Sequence, residues 1–230
     1  MGSIEFNLQG VRDRIGRACE AAGRSVESVT LLAVSKTFPA DAVREAHAAG
    51  LRAFGENYVQ EGLAKIEALA DLRPQLQWHL IGPLQSNKTR AVAEAFDWVH
   101  SVDRLKIAER LAAQRPEGLP PLQVCLQVNI SGETSKSGAL PAEVPALAHA
   151  VAALAPQRLV LRGLMAIPEP AEDPALQRLP HRALRDLLVA INAQGQALDV
   201  LSMGMSADLE AAVQEGATLV RVGTALFGRR

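Results

Sequence analysis

Eight short β-prone runs alternate with helical stretches along the 230 residues, and this rhythm restricts the chain to very few folds. The runs are Val29–Ser35, Arg52–Phe54, Leu76–Ile81, Asp97–Val99, Leu122–Ile130, Leu159–Met165, Leu198–Ser202 and Thr218–Val222. Between them, helix boundaries are readable. Pro39 suits a first helical turn and Gly50 a stop; Ser86 suits the cap of a helix carrying Ala91 and Ala95. Leu140, Val144, Leu147, Val151 and Leu154 form an apolar stripe at helical spacing, and so do Leu184, Leu188 and Ile191. Another helix is expected from Ser206 to Gly216. Ile4, Leu8, Val11, Ile15 and Cys19 predict one extra helix ahead of the first strand. The pattern predicts an α/β fold, a single (β/α)8 TIM barrel with an extra N-terminal helix, spanning residues 1–230 as one domain. An open doubly wound sheet is the competitor, but no GxGxxG follows the first strand. Pro168–Pro180 reads as a long loop after the sixth strand.

Composition removes several function classes. A net charge of −1 gives no electrostatic case for nucleic acid or an anionic membrane surface. No apolar stretch nears the roughly 20 residues that span a bilayer, and the start lacks a signal-peptide layout, so a cytoplasmic location is expected. Cys19 and Cys125, far apart and without Cys/His spacing, suggest neither a disulfide framework nor a metal site.

In such a barrel, function gathers at the C-terminal strand ends. Lys36 ends the apolar run Leu31-Leu32-Ala33-Val34-Ser35. A lysine buried there would favour its neutral amine, which can add to a carbonyl and form a Schiff base. The other strand ends offer Glu56-Asn57, His79 with Gly82, Ser101, Asn129, Met165, Ser202 to Ser206 and Arg221 to Thr224. The last two loops, Ser202-Met203-Gly204-Met205-Ser206 and Arg221-Val222-Gly223-Thr224, lie where barrels commonly bind phosphate. Lysine and phosphate site together predict a carbonyl-bearing phosphate ester, either a sugar phosphate or pyridoxal 5'-phosphate (PLP).

AVSKTFP at 33–39, FGENYVQE at 54–61, WHLIGPLQSNK at 78–88, SKSG at 135–138, LMAIP at 164–168, SMGMSAD at 202–208 and RVGTALFG at 221–228 carry a resemblance. Over about Thr30 to Gly228 the chain resembles the PLP-binding family of pyridoxal phosphate homeostasis, whose barrel is like that of alanine racemase. The resemblance implies that Lys36 holds PLP as a Schiff base. It implies a phosphate cradle of Ser206, Gly223 and Thr224, with Met205 and Gly204 in its loop, and Arg221 facing the pyridine nitrogen. Asn57 is expected beside the ring, and His79 is a candidate for ring contact or for core packing. Met165 is expected in barrel packing and Lys136 in a loop able to reach the site. Where the family often carries a second lysine, this chain has Phe38, and Leu176–Leu188 is expected to be peripheral.

The expected function is a non-catalytic carrier in intracellular PLP homeostasis, buffering or delivering the cofactor to apo-PLP enzymes as a monomer. The alternatives are an amino-acid racemase on the same barrel and a cofactor-free Schiff-base aldolase. A racemase needs a second acid/base opposite the lysine. The only tyrosine is Tyr58, and the sequence ends just after the eighth strand, so an open mouth is expected.

Overall fold

The computed structural model describes residues 3–132 and 137–228. The eight runs become β1 (Thr30–Val34), β2 (Ala53–Glu56), β3 (Gln77–Leu80), β4 (Trp98–Val102), β5 (Leu122–Gln127), β6 (Leu159–Met165), β7 (Val200–Ser202) and β8 (Leu219–Val222). Every neighbouring pair is parallel, and β1 closes onto β8 with Leu32 opposite Arg221. The chain is the expected TIM barrel. Closure leaves no strand edge unpaired. Around it run α2 (Ala40–Ala48), α3 (Val59–Ala68), α4 (Thr89–Ala95), α5 (Leu105–Gln114), α6 (Val144–Ala152), α7 (Pro174–Asn192) and α8 (Leu209–Gln214). The extra helix α1 (Ile4–Ala21) precedes β1, and the one-turn α9 (Thr224–Phe227) follows β8.

Alternation along each strand separates two cores. Leu32, Val34, Ala53, Ile81, Cys125, Met165, Val200 and Leu219 pack together inside the barrel. The larger cluster, including Phe54, Trp78, Val99 and Val220, lies between barrel and helices. Met165 is therefore barrel packing, as expected. Gly163 pairs with Val200, and a Cβ on it would come within 1.8 Å of the Val200 carbonyl oxygen. Only glycine lets β6 and β7 meet there. Both cysteines are buried and free, and burial pushes the Cys125 thiol up to about 12.

Four local expectations are corrected. Ser86 opens a short 3-10 turn instead of capping a helix; its carbonyl accepts from the Thr89 hydroxyl, and α4 starts at Thr89. Leu140 is exposed ahead of α6, outside the stripe that Val144 begins. The last barrel helix starts at Leu209, because Ser206, Ala207 and Asp208 form a turn first. The expected loop up to Pro180 also contains helix: α7 starts at Pro174 and runs through Pro180. A mid-helix proline costs about 3 kcal/mol. Local and distant contacts offset it. Asp173 accepts from the Ala175 amide at 2.8 Å, and Pro174 takes a first-turn position that needs no amide hydrogen. Further along, Arg178, Arg182 and Arg185 converge on the buried carboxylate of Glu215 at 2.6, 2.9 and 2.9 Å.

Hydrogen bonds and charge from Arg182 and Arg178 hold the Glu215 carboxyl down at about 2, below the roughly 4.3 of a free glutamate. The clamp's stabilisation is thus present above about pH 4.3 and is lost as pH falls toward 2. The melting-temperature gap between wild type and Glu215→Gln should be widest near neutrality and close across that window. A gap independent of pH would remove the ionic account of the clamp.

Candidate functional site at the barrel mouth

Continuing each inward row by two residues brings it to the mouth. Val34 leads to Lys36, Gly55 to Asn57, Leu219 to Arg221 and Gly223, and Val200 to Ser202 and Gly204. There a cavity of about 540 Å³ opens to solvent. Lys36, Asn57, Met205, Ser206, Arg221, Gly223 and Thr224 line it, so seven of the eight predicted residues meet in one place. His79 does not line it. Lys36 is exposed at the rim, one residue past buried Ser35, which corrects the expectation of a buried amine.

Arg221 is the deepest charge in the site, only 3% exposed. Its guanidinium donates to the carbonyl and hydroxyl oxygens of Ser202 at 2.5 and 2.8 Å and to the Ala166 carbonyl at 2.8 Å. Three of five donors are thereby used, leaving donors for a guest. Burial lowers its pKa to about 10, so it stays charged at neutral pH.

Behind it runs a buried chain of polar groups. His100 Nδ1 lies 2.8 Å from Ser202 Oγ, and His100 Nε2 lies 2.9 Å from His79 Nδ1. Arginine only donates, so Ser202 Oγ accepts from Arg221, and the His100 ring joins that hydroxyl to His79 in either tautomer. Burial drives His79 down to about 3, and burial followed by the charges of His79 and Arg221 drives His100 well below the usual imidazole range. Both rings are neutral, so Arg221 faces no competing charge there. His79 thus supports Arg221 from behind.

The two glycine-containing loops that line the cavity are braced from outside. At the first, Asp208 Oδ1 accepts from the Met205 amide at 2.7 Å, and Asp208 Oδ2 pairs with His181 Nε2 at 2.9 Å. Burial alone would raise the Asp208 carboxyl; bonds from His181 and the Met205 amide outweigh it and hold the group low. Arg14 of α1 donates to the Ser206 carbonyl at 2.9 Å. Among the described residues, the Ser206 and Ala207 amides donate to no acceptor. Gly204, at φ 90°, is required here, because a Cβ would come 2.5 Å from that of Ala212. At the second loop, Gly223 precedes α9, whose Leu226 and Phe227 amides return to the Gly223 carbonyl. Asn7 of α1 donates to the Leu226 carbonyl at 2.8 Å. His181 lies in α7, so Leu176–Leu188 is not peripheral, as expected from sequence, but supports the first loop.

On the opposite side, the backbone around Lys36 is held by an ion cluster in the barrel wall. Lys65 Nζ donates to the Ser35 carbonyl at 2.6 Å and to Glu56 and Glu61 at 2.8 Å each. Ser35 Oγ donates to Glu56 at 2.6 Å, and the Thr37 amide donates to Glu61. Sequence reasoning missed this cluster, as it missed Asp208, His181 and Arg14; an i,i+4 Glu–Lys pair on a helix was its only visible trace. Phe38, at the position of the family's second lysine, stacks on Phe227 with ring centroids 5.0 Å apart. Lys136 lies outside the described residues. Tyr58 is 60% exposed and does not line the cavity.

Comparison with known proteins gives the family. Residues 7–230 match the family "Alanine racemase, N-terminal domain". A Pseudomonas aeruginosa protein named pyridoxal phosphate homeostasis protein is 64% identical over all of this chain and 97% of its own length. The protein of that name from Escherichia coli K12 is 54% identical, covering 100% of this chain and 98% of the relative. PipY of Synechococcus elongatus, solved with PLP bound, superposes with a TM-score of 0.80 at 43% identity, over 94% of this chain and 100% of PipY. The chain belongs to the pyridoxal phosphate homeostasis protein family, built on the alanine racemase N-terminal barrel.

Proposed function

We propose that the chain holds pyridoxal 5'-phosphate as a Schiff base on Lys36 and buffers or delivers it inside the cell, without turning over a substrate of its own. One observation carries this reading. A single solvent-open cavity gathers an exposed primary amine, a buried arginine with spare donors, and two glycine-containing turns with unengaged amides. Those groups fit, in order, an aldehyde, a ring nitrogen and a phosphate. The unengaged amides of Ser206 and Ala207 support backbone approach to an anion at the first turn.

When bound, the cofactor supplies an electrophilic aldehyde and a ring able to accept electrons. The protein's residues limit that chemistry. Arg221 remains a donor at neutral pH, and a donor opposite the ring nitrogen disfavours its protonation. The neutral state of His100 and His79 preserves that role. Ser206, Gly223 and Thr224 would hold the phosphate, with Met205 shaping their loop and Asn57 beside the ring.

A racemase would need an acid/base facing the lysine. Among the described residues lining the cavity there is no carboxylate, imidazole or phenol. The amine, the guanidinium and both cavity turns come from the same chain, so the barrel needs no partner to complete the site, and we read it as a monomer that hands its cargo to apo-PLP enzymes.

Three measurements test the reading. Borohydride treatment of the PLP-loaded protein should fix the cofactor to the peptide containing Lys36; modification confined to another lysine would refute the attachment. Thr224→Ala should weaken PLP binding roughly ten- to hundredfold, the scale of one hydrogen bond to a charged group of about 1.5–3 kcal/mol. Mixing the loaded protein with an apo-PLP enzyme should restore that enzyme's activity, while racemase or decarboxylase turnover across an amino-acid panel should be absent. Clear turnover in that panel would favour the enzyme reading.

A further inference from the structure

We propose that Lys65, with Glu56 and Glu61, is a positioning residue for Lys36: a buried ion cluster outside the barrel holds the peptide on both sides of Lys36 and sets where its amine stands. This rests on the reading of Lys36 as the attachment site.

Alternation explains why the cluster forms. Gly55 and Asn57 belong to the inward row of β2, so Glu56 points outward, toward α3. Lys65 lies one turn beyond Glu61 on α3 and is 5% exposed. An ammonium has three N–H donors, and all three are engaged: by the Ser35 carbonyl, Glu56 and Glu61. The same two carboxylates accept from the Ser35 hydroxyl and the Thr37 amide. Three backbone or side-chain anchors therefore bracket Lys36, two before it and one after.

The backbone shows what the bracket does. Thr37 has φ 68°, the only positive value at a non-glycine residue among those described. A β-branched side chain disfavours this conformation, which persists only where surrounding contacts impose it. The Glu61 contact to its amide is such an imposed contact. Stability alone explains the cluster poorly, since a buried ion pair is often no better than apolar packing. Glu56 also leaves its second oxygen without a hydrogen-bond partner, and burial pushes its carboxyl upward. Two acids and one base placed directly behind Lys36 fit a task of holding the lysine's backbone.

The covalent step joins the Lys36 amine nitrogen to the aldehyde carbon, and the carbonyl oxygen leaves with two amine hydrogens as one water. Correct placement of an amine governs the rate of such a step, whereas phosphate and ring contacts govern binding. The full-length chain, stripped of cofactor, is therefore given PLP or pyridoxine 5'-phosphate. The latter carries an alcohol in place of the aldehyde and cannot link to lysine. Lys65→Met and Glu61→Ala should slow borohydride-fixable attachment at Lys36 by about tenfold or more, with pyridoxine 5'-phosphate affinity kept within about twofold. Glu61→Gln keeps an acceptor for the Thr37 amide and should retain most of the wild-type rate. The Glu61 side chain is 25% exposed, so this pair remains informative if Lys65→Met does not fold. Unchanged attachment rates in Glu61→Ala overturn the proposal, and so does a parallel loss of pyridoxine 5'-phosphate affinity. Wild-type protein that binds PLP yet forms no link at Lys36 overturns the attachment reading itself.

Discussion

Closing eight parallel strands on themselves gives each strand one row of side chains facing the barrel axis and one facing the helices. Every functional position follows from this two-way choice. Leu32 and Val34 fill the axis below Lys36, and Leu219 lies beneath Arg221. A one-residue slip in β1 would send Lys36 toward the helices and Ser35 into the mouth. The outward row is equally committed, because Ser35 and Glu56 meet Lys65 on the far side of the wall. Mouth and wall are two faces of one register.

The price of a charged group at the barrel axis is a set of fixed acceptors. Arg221 has carbonyls of two neighbouring strand ends and one hydroxyl, and that hydroxyl is oriented by an imidazole that burial keeps neutral. An unpaired guanidinium at that depth would be far costlier than one with partners. The histidines thus supply polarity to the axis without adding charge. Solvation of the site is graded, from neutral rings at depth through one buried cation to an exposed amine at the rim.

The fold was legible because strand alternation and helix ends are local signals. Lys36, Arg221, Gly223 and the Ser206 turn were legible because their place at strand ends is also local. What escaped depends on partners distant in sequence. Lys65 looks like half of a surface i,i+4 pair until Ser35, 30 positions earlier, is brought beside it. Pro180 reads as a helix breaker because the acceptor that ties its helix down, Glu215, comes 37 residues after Arg178. His79 and His100 share the inward row, but only their distances show that they serve Arg221. The exposure of Lys36 was misread because an apolar run predicts a buried strand, not where its last residue emerges.

The brace that α1 applies to both loops at the mouth has a consequence for the order of assembly. Arg14 holds the carbonyl of Ser206 and Asn7 that of Leu226, so a helix that precedes the first strand is locked onto segments that follow the seventh and eighth. Until the segments after the seventh and eighth strands are in place, α1 lacks its partners there and neither loop has its outer support. On the proposed reading of these loops as a phosphate cradle, a firm hold on the cofactor is thereby tied to a finished barrel.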